Sequence, residues 1–234
     1  MKGFFKLIFR LIKLAFIFFV AISLLGVLAY RFINPPVTWL MIGRAIDRKA
    51  DGKDWKIDKE WKDFDEISDN MKRAAIAGED QRFMTHHGFD LTAIERAVKK
   101  NQKNKAKKTK KIIGGSTITQ QTAKNVFLWS GRSWFRKGLE AWFTVLIDTF
   151  WSKKRVLEVY LNVIEMGDGI YGAEAASQAY FHVPASQLTK RQAAAIASIF
   201  PSPLHWSATN PSRYVLHRQG LIRMNMRRMG RLDF

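Results

Sequence analysis

The chain has 234 residues, no cysteine and a formal net charge of +19, from 39 Lys and Arg against 20 Asp and Glu. The length allows one sizeable core, and the missing cysteines exclude a disulfide framework and any thiolate metal site. The charge points to anionic partners: nucleic acid, anionic lipid or a phosphorylated substrate.

Leu14 to Tyr30 carries no charge, and Leu11 and Ile12 extend it past Lys13, whose ammonium can snorkel. About twenty apolar residues span a bilayer, so this segment is predicted to be a transmembrane helix. Lys2, Lys6, Arg10 and Lys13 precede it and only Arg31 follows at once, which puts the N-terminus in the cytoplasm and the rest of the chain outside. A cleaved signal peptide fits less well, because the run is long and ends in bulky Tyr30-Arg31-Phe32. Asn34-Pro35-Pro36 stops the helix. Thr38 to Lys49 regains helical periodicity, with Trp39, Leu40, Ile42 and Ile46 available to one broad face. That face suits the bilayer surface and an ordinary packed helix equally.

Further on, Ser68 or Asp69 can cap a helix through Met71 to Ala77, with Glu79 and Asp80 at its end. Leu91 to Lys100 reads as a helix. Lys99 to Lys111, rich in lysine and free of acid, reads as a mobile loop. Thr117 to Gln120 fits a capping box opening a helix towards Leu128. Leu139, Trp142, Phe143, Leu146, Ile147 and Phe150 keep helical spacing, and Val156 to Ile164 continues it until Gly167, Gly169 and Gly172 interrupt. Thr189 to Gln192 is a second capping box before an Ala-rich helix ended by Pro201. Asn210-Pro211 opens a last helix with Pro near its first turn. No strand alternation stands out, so a mainly α fold is expected.

Glu79 follows an apolar helix face. A half-buried carboxyl there has its pKa raised by desolvation, and by Asp80 if both stay close, as a general base or acid needs. Taken alone, the pair reads far more readily as surface acids, since perturbed acids are the exception. His86 and His87 are ambiguous, and no His stands four residues after another ligand, so no metal site is expected. Gly114-Gly115 before Ser116 and Thr117 could let backbone amides converge on an anion, although helix capping explains the same residues. Arg136 and Glu140 lie one helical turn apart and can pair. Arg136 and Lys137, with Lys124, can also hold a phosphate, leaving Glu140 as a second site carboxylate.

Four segments occur in order: Glu79-Asp80-x-x-Phe83-x-x-His86-x-Gly88, Gly115-Ser116-Thr117-Ile118-Thr119-Gln120-Gln121, Arg136-Lys137-x-x-Glu140, and Arg155-x-x-Glu158-x-Tyr160-x-Asn162. Together they resemble the peptidoglycan glycosyltransferases (glycosyltransferase family 51), over about residues 60 to 205. The resemblance implies a lysozyme-like helical domain beside the membrane. The expected organisation is a tail and anchor at 1–31, a juxtamembrane segment at 32–60 and a glycosyltransferase domain at 61–234, with no room for a transpeptidase domain. It implies lipid II and the growing lipid-linked glycan as substrates, the bacterial inner membrane as location, other cell-wall synthesis proteins as partners, and no nucleic acid.

By resemblance, Glu79 is the base that deprotonates the acceptor sugar 4-hydroxyl, and attack inverts the anomeric carbon to a β-1,4 bond. Glu140 stands near the donor, whose pyrophosphate is held by Lys124, Arg136 and Lys137. Ser116, Thr117 and Gln121 line the donor site; Asp80, Phe83, His86 and Gln120 complete the substrate-binding set. A divalent cation such as Mg2+ is expected to bridge the phosphates, though no ligand cage is visible. Two rivals remain at this stage: a lytic enzyme on the same scaffold, which would not need the cationic cluster, and a membrane-tethered polyanion binder, which would not need the ordered motifs.

Overall fold

The computed structural model describes residues 2–106, 114–131 and 133–234. It is mainly α-helical. The first helix, α1 (Lys2–Phe32), is long and apolar enough to cross a membrane, with a mean hydropathy of 2.7 over an 18-residue stretch within Gly3–Phe32. Most of its side chains are exposed as far as Leu25, whereas Ser23 and Val27 are buried against the body. The cause is α6 (Trp134–Phe150), which lies alongside: Trp142 Nε1 donates to Ser23 Oγ at 3.0 Å, and Trp151 Nε1 donates to the Val27 carbonyl at 2.8 Å. The anchor is thus packed onto the domain rather than strung from it.

The next helix, α2 (Trp39–Ala50), is capped by Thr38, whose hydroxyl accepts from Met41 N. Its apolar residues do not form the single face expected. Leu40, Met41 and Ala45 are buried, while Trp39 and Ile46 are 69% and 55% exposed. Leu40 therefore belongs to the interior, and only the other side of the helix is available to a bilayer. Arg44 ties α2 to the body through Glu165 at 3.2 Å.

A small sheet corrects the expectation of no strands. Here β1 (Asp58–Lys59) runs parallel to β3 (Ile170–Tyr171), and β2 (Glu165–Gly167) pairs antiparallel with β3, in the order β1-β3-β2. Strands of two or three residues are too short to show alternation, which is why the sequence gives no sign of them. A second correction concerns the lysine-rich stretch. Helix α4 (Leu91–Ala106) carries through Lys99 to Ala106, because lysine is itself a good helix former. The remainder of that expected loop, from residue 107 on, lies outside the described residues.

Serine and threonine caps start most of the other helices. Ser68 opens α3 (Asp69–Glu79), Thr117 opens α5 (Ile118–Phe127), Ser133 opens α6 and Ser152 opens α7 (Lys153–Val163). Thr189 opens α9 (Lys190–Ile199) and Ser212 opens α10 (Arg213–Arg228), so Pro211 stands before the cap rather than inside the first turn. The Ala-rich α9 and the last helix α10 enclose α3, while α5 sits between α6 and α7. Small side chains on α3 (Ala74, Ala75, Ala77) and α9 (Ala193, Ala194, Ala197) are fully or almost fully buried, so the two backbones approach closely.

Between α7 and α8 (Gly172–Phe181), Gly172 holds φ +83°, and a Cβ there would sit 2.8 Å from the Asn162 carbonyl oxygen. The Asn162 side chain in turn accepts from Lys62 N and donates to the Lys62 and Glu158 carbonyls. Gly172→Ala is expected to cost roughly 2–4 kcal/mol, from backbone strain plus the clash. Thermal unfolding checks it: a drop in Tm of about 5 °C or more is expected, and an unchanged Tm would show that the turn yields freely.

Candidate active site

Glu79 is the last residue of α3, at the negative end of that helix and close to the start of α5. Both of its oxygens are engaged. Oε1 accepts from Arg218 Nη2 at 2.7 Å, and Oε2 accepts from Gln121 Nε2 at 2.9 Å. The Gln121 amide is oriented from its other side, where Tyr160 donates to Oε1 at 3.3 Å. Burial raises the Glu79 pKa above the ordinary carboxylate value and Asp80 adds to the rise, while Arg218, Gln121 and Lys124 pull it back. The result is a carboxylate that desolvation makes a stronger base and that two neighbours hold in place. The Tyr160 hydroxyl is pushed well above its usual value by burial and by Glu79, so it stays a neutral donor.

Asp80 has another task. Its carboxylate meets His86 Nε2 at 2.8 Å and accepts from Ile118 N at 3.0 Å, at the first turn of α5. It therefore clips the end of α3 to the positive end of α5. Phe83 is fully buried, and His86 is buried with it beneath the site. Thr117 is also buried: it donates to the Gly88 carbonyl at 2.6 Å and exchanges capping-box bonds with Gln120. Of the residues expected to touch substrate, Asp80, Phe83, His86, Thr117 and Gln120 thus form the floor that carries Glu79 and Gln121. The amides of Thr117 and Ile118 are consumed by Gln120 and Asp80, so at these two positions capping is the reading that holds, not anion binding. Gly115 lets this segment pass close to α4, since a Cβ there would lie 3.1 Å from Ile94 Cα.

The cationic cluster forms at the start of α6. Glu140, nearly fully buried, accepts from Arg136 Nη1 at 3.1 Å and from Lys137 Nζ, and Lys137 also reaches Ser116 Oγ at 3.4 Å. Lys124 lies close enough to feel all three charges. Burial lowers its pKa; Glu140 raises it, and Arg136 and Lys137 lower it further. Arg136 Nε is buried and has no hydrogen-bond partner. Three cations thus share one carboxylate, and one donor remains to be satisfied, which an anion would do.

Two clefts flank the Glu79–Gln121 pair. The larger, about 940 Å³, runs from Glu79 and Asp80 along α4, where Arg96, Lys99, Lys100 and Lys103 face it, to Gly114–Thr117. The smaller, about 340 Å³, is lined by Gln121, Lys124, Arg136, Arg44, Glu165 and the aromatic Trp129. Each has a strongly basic wall. Among the described residues no group of His, Cys, Asp or Glu could hold a metal ion, and the carboxylates of Asp80 and Glu140 are already occupied, so the site does not fit a protein-held divalent cation.

Sequence reading missed Arg218, which lies 139 positions beyond Glu79 on α10, and the α4 wall. No local pattern marks Arg218; only the packing of α10 on α3 brings it to the site. His87 stays on the surface, its side chain 95% exposed near Asp148.

The comparisons with known proteins agree with this geometry. The Transglycosylase family matches residues 48–227. A biosynthetic peptidoglycan transglycosylase of Pseudomonas putida is 50% identical over 221 residues, covering 94% of this chain and 92% of that protein. One from Pseudomonas savastanoi pv. phaseolicola is 48% identical over 225 residues, with 96% and 93% covered. One from Pseudomonas fluorescens is 47% identical over 229 residues, with 98% and 93% covered. With a buried helix-end carboxylate between two cationic clefts, and relatives that match along nearly its whole length, this chain belongs to the transglycosylase family.

Proposed function

We propose that this enzyme polymerises lipid II into the β-1,4 glycan strands of peptidoglycan, by inverting glycosyl transfer with undecaprenyl pyrophosphate as leaving group. The observation that carries the reading is a single buried base with a cationic cleft on either side. A polymerase of lipid-linked sugars must hold two pyrophosphates at once, one on the donor and one on the acceptor. A glycan-cleaving enzyme on the same scaffold has a sugar as leaving group and needs neither basic wall. A polyanion binder needs no desolvated carboxylate.

Glu79 takes the proton from the acceptor 4-hydroxyl as that oxygen attacks the donor anomeric carbon, and the C–O bond to the pyrophosphate breaks on the opposite face. The departing charge falls on Lys124, Arg136 and Lys137, with Ser116 adding a hydroxyl. Glu140 holds Arg136 and Lys137 in one geometry, so its contribution is to aim cations at the leaving group. The acceptor lies along α4, where Arg96 and the lysines draw its pyrophosphate, and Gln121 keeps Glu79 turned towards the reacting oxygen. Phe83, His86, Thr117 and Gln120 act through the floor. A divalent cation, where one takes part, travels on the phosphate oxygens, and no step needs it from the protein.

Helix α1 is a single-pass anchor in the bacterial inner membrane, with the basic tail inside and the catalytic domain outside. Other cell-wall synthesis proteins are the natural partners of such an enzyme, and the growing glycan leaves away from the bilayer.

Purified protein is to be incubated with lipid II and, separately, with finished glycan. Polymer from the first is expected; fragments from the second, with no polymer, would establish the lytic alternative. Glu79→Gln is expected to lower turnover by about 10²–10⁴-fold while circular dichroism stays unchanged. Near-normal turnover would remove Glu79 as base. Glu140→Gln, by freeing Arg136 and Lys137 from their shared partner, is expected to reduce turnover severely, and a wild-type rate would reduce Glu140 to a structural partner of Arg136.

The pH profile offers a third check. A base works only when deprotonated, and burial holds the Glu79 pKa above the ordinary carboxylate value. The acid limb of kcat/KM against pH should therefore fall above that value. Arg218 lowers the Glu79 pKa, so Arg218→Met should move the limb to higher pH. A limb that stays put would mean that another group sets it.

A further inference from the structure

Of the fourth motif, Tyr160 supports Gln121 at the site, but Arg155 does not line either cleft. It reaches the anchor. Arg155 Nε and Nη2 donate to the Tyr30 carbonyl at 3.1 and 2.9 Å, Nη2 donates to the Ile33 carbonyl at 2.8 Å, and Nη1 donates to Asn34 Oδ1 at 2.9 Å. The guanidinium is kept in place by Glu158, which accepts from Nη1 at 2.6 Å and from Phe64 N at 2.8 Å. It also lies over the Trp61 ring, 5.4 Å from its centroid. On the same ring, Lys59 Nζ stands 5.3 Å from the centroid and donates to the Pro35 and Pro36 carbonyls at 2.8 and 2.9 Å.

These contacts answer a definite need. A helix ends with carbonyls that have no intrahelical partner and with the negative pole of its dipole. Pro35 and Pro36 forbid further turns, so the end of α1 must find donors elsewhere or turn to water. A planar guanidinium offers five donors in a fixed fork, so it can serve several carbonyls at once and still pair with a carboxylate in one set geometry. The Trp142 and Trp151 contacts hold α1 higher up, within the apolar span. Arg155 holds it where the span ends, beside the Lys59 bonds to the Pro35 and Pro36 carbonyls.

We propose that Arg155 is a positioning residue for reaction with membrane-borne substrate: by bonding the end of α1 to α7, it fixes the height and tilt of the catalytic groove above the bilayer. The inference rests on the glycan-polymerase reading for its kinetic arm and not for its geometric one. A substrate confined to the membrane presents its pyrophosphate at one depth, so a groove at the wrong height meets it less often; a dispersed substrate has no such restriction.

The test uses the full chain with Arg155→Met and Arg155→Lys. Turnover is measured on long-chain lipid II in bilayers and on a short-chain analogue in detergent. Because the chain has no cysteine, Thr209→Cys provides one labelling site for energy transfer to a probe in the bilayer surface. Arg155→Met is expected to lose at least tenfold in bilayers and less than twofold in detergent, with a shifted or broadened transfer distance and a nearly unchanged Tm. Arg155→Lys should fall between. Equal losses on both substrates, or no loss on either, would overturn the proposal. So would an unchanged transfer distance, whatever the activities. Wild-type protein inactive on both substrates would count against the polymerase reading, and the distance measurement would still decide the role of Arg155.

Discussion

The site depends on one buried carboxylate, Asp80, whose oxygens are engaged by the protein's own groups. Asp80 is withdrawn from solvent and survives there only because His86 and the Ile118 amide satisfy it. That bond joins segments 38 residues apart in sequence. It fixes where α3 stops and where α5 starts, and therefore the 2.9 Å contact between Glu79 and Gln121. An apolar residue at position 80 would leave the Ile118 amide and the His86 imidazole without this acceptor. The Glu-Asp pair thus divides its labour between a base and the clip that aims it.

Electrostatics across the site follow the same economy of groups. Glu79 is pushed up by burial and restrained by Arg218, Gln121 and Lys124. On the far side, Lys124 is pushed down by burial and by its cationic neighbours, while Glu140 and, more weakly, Glu165 oppose this. An arriving phosphate would relieve the cations. The two clefts are therefore tuned in opposite senses around one pair of side chains.

Much of this was legible in the sequence. The apolar run, the two capping boxes and the helical spacing of residues 139 to 150 depend on local chemistry, and each corresponds to an element of the fold. The strands did not show, because two or three residues carry no period. The lysines of 99–106 were misjudged because their charge was weighed above their helix propensity. At the site, the order of the motifs pointed to Glu79 and the Arg136-Lys137-Glu140 cluster, both of which the fold brings together with Gln121 and Lys124. It did not separate floor from lining. Phe83 and His86 share the motif with Glu79, and burial alone tells them apart. Arg218 was invisible for a different reason: its partner is set by how α10 packs on α3, which no local pattern encodes.

Arg218 also ties the site to the order of synthesis. The counter-charge of Glu79 is carried by α10, the last of the described helices in chain order, so a nascent chain that ends at α9 lacks that partner. Without Arg218 the Glu79 carboxyl would lose the charge that most lowers its pKa, and its protonated form would be favoured. The counter-charge of the buried carboxylate is thus supplied late in the order of synthesis.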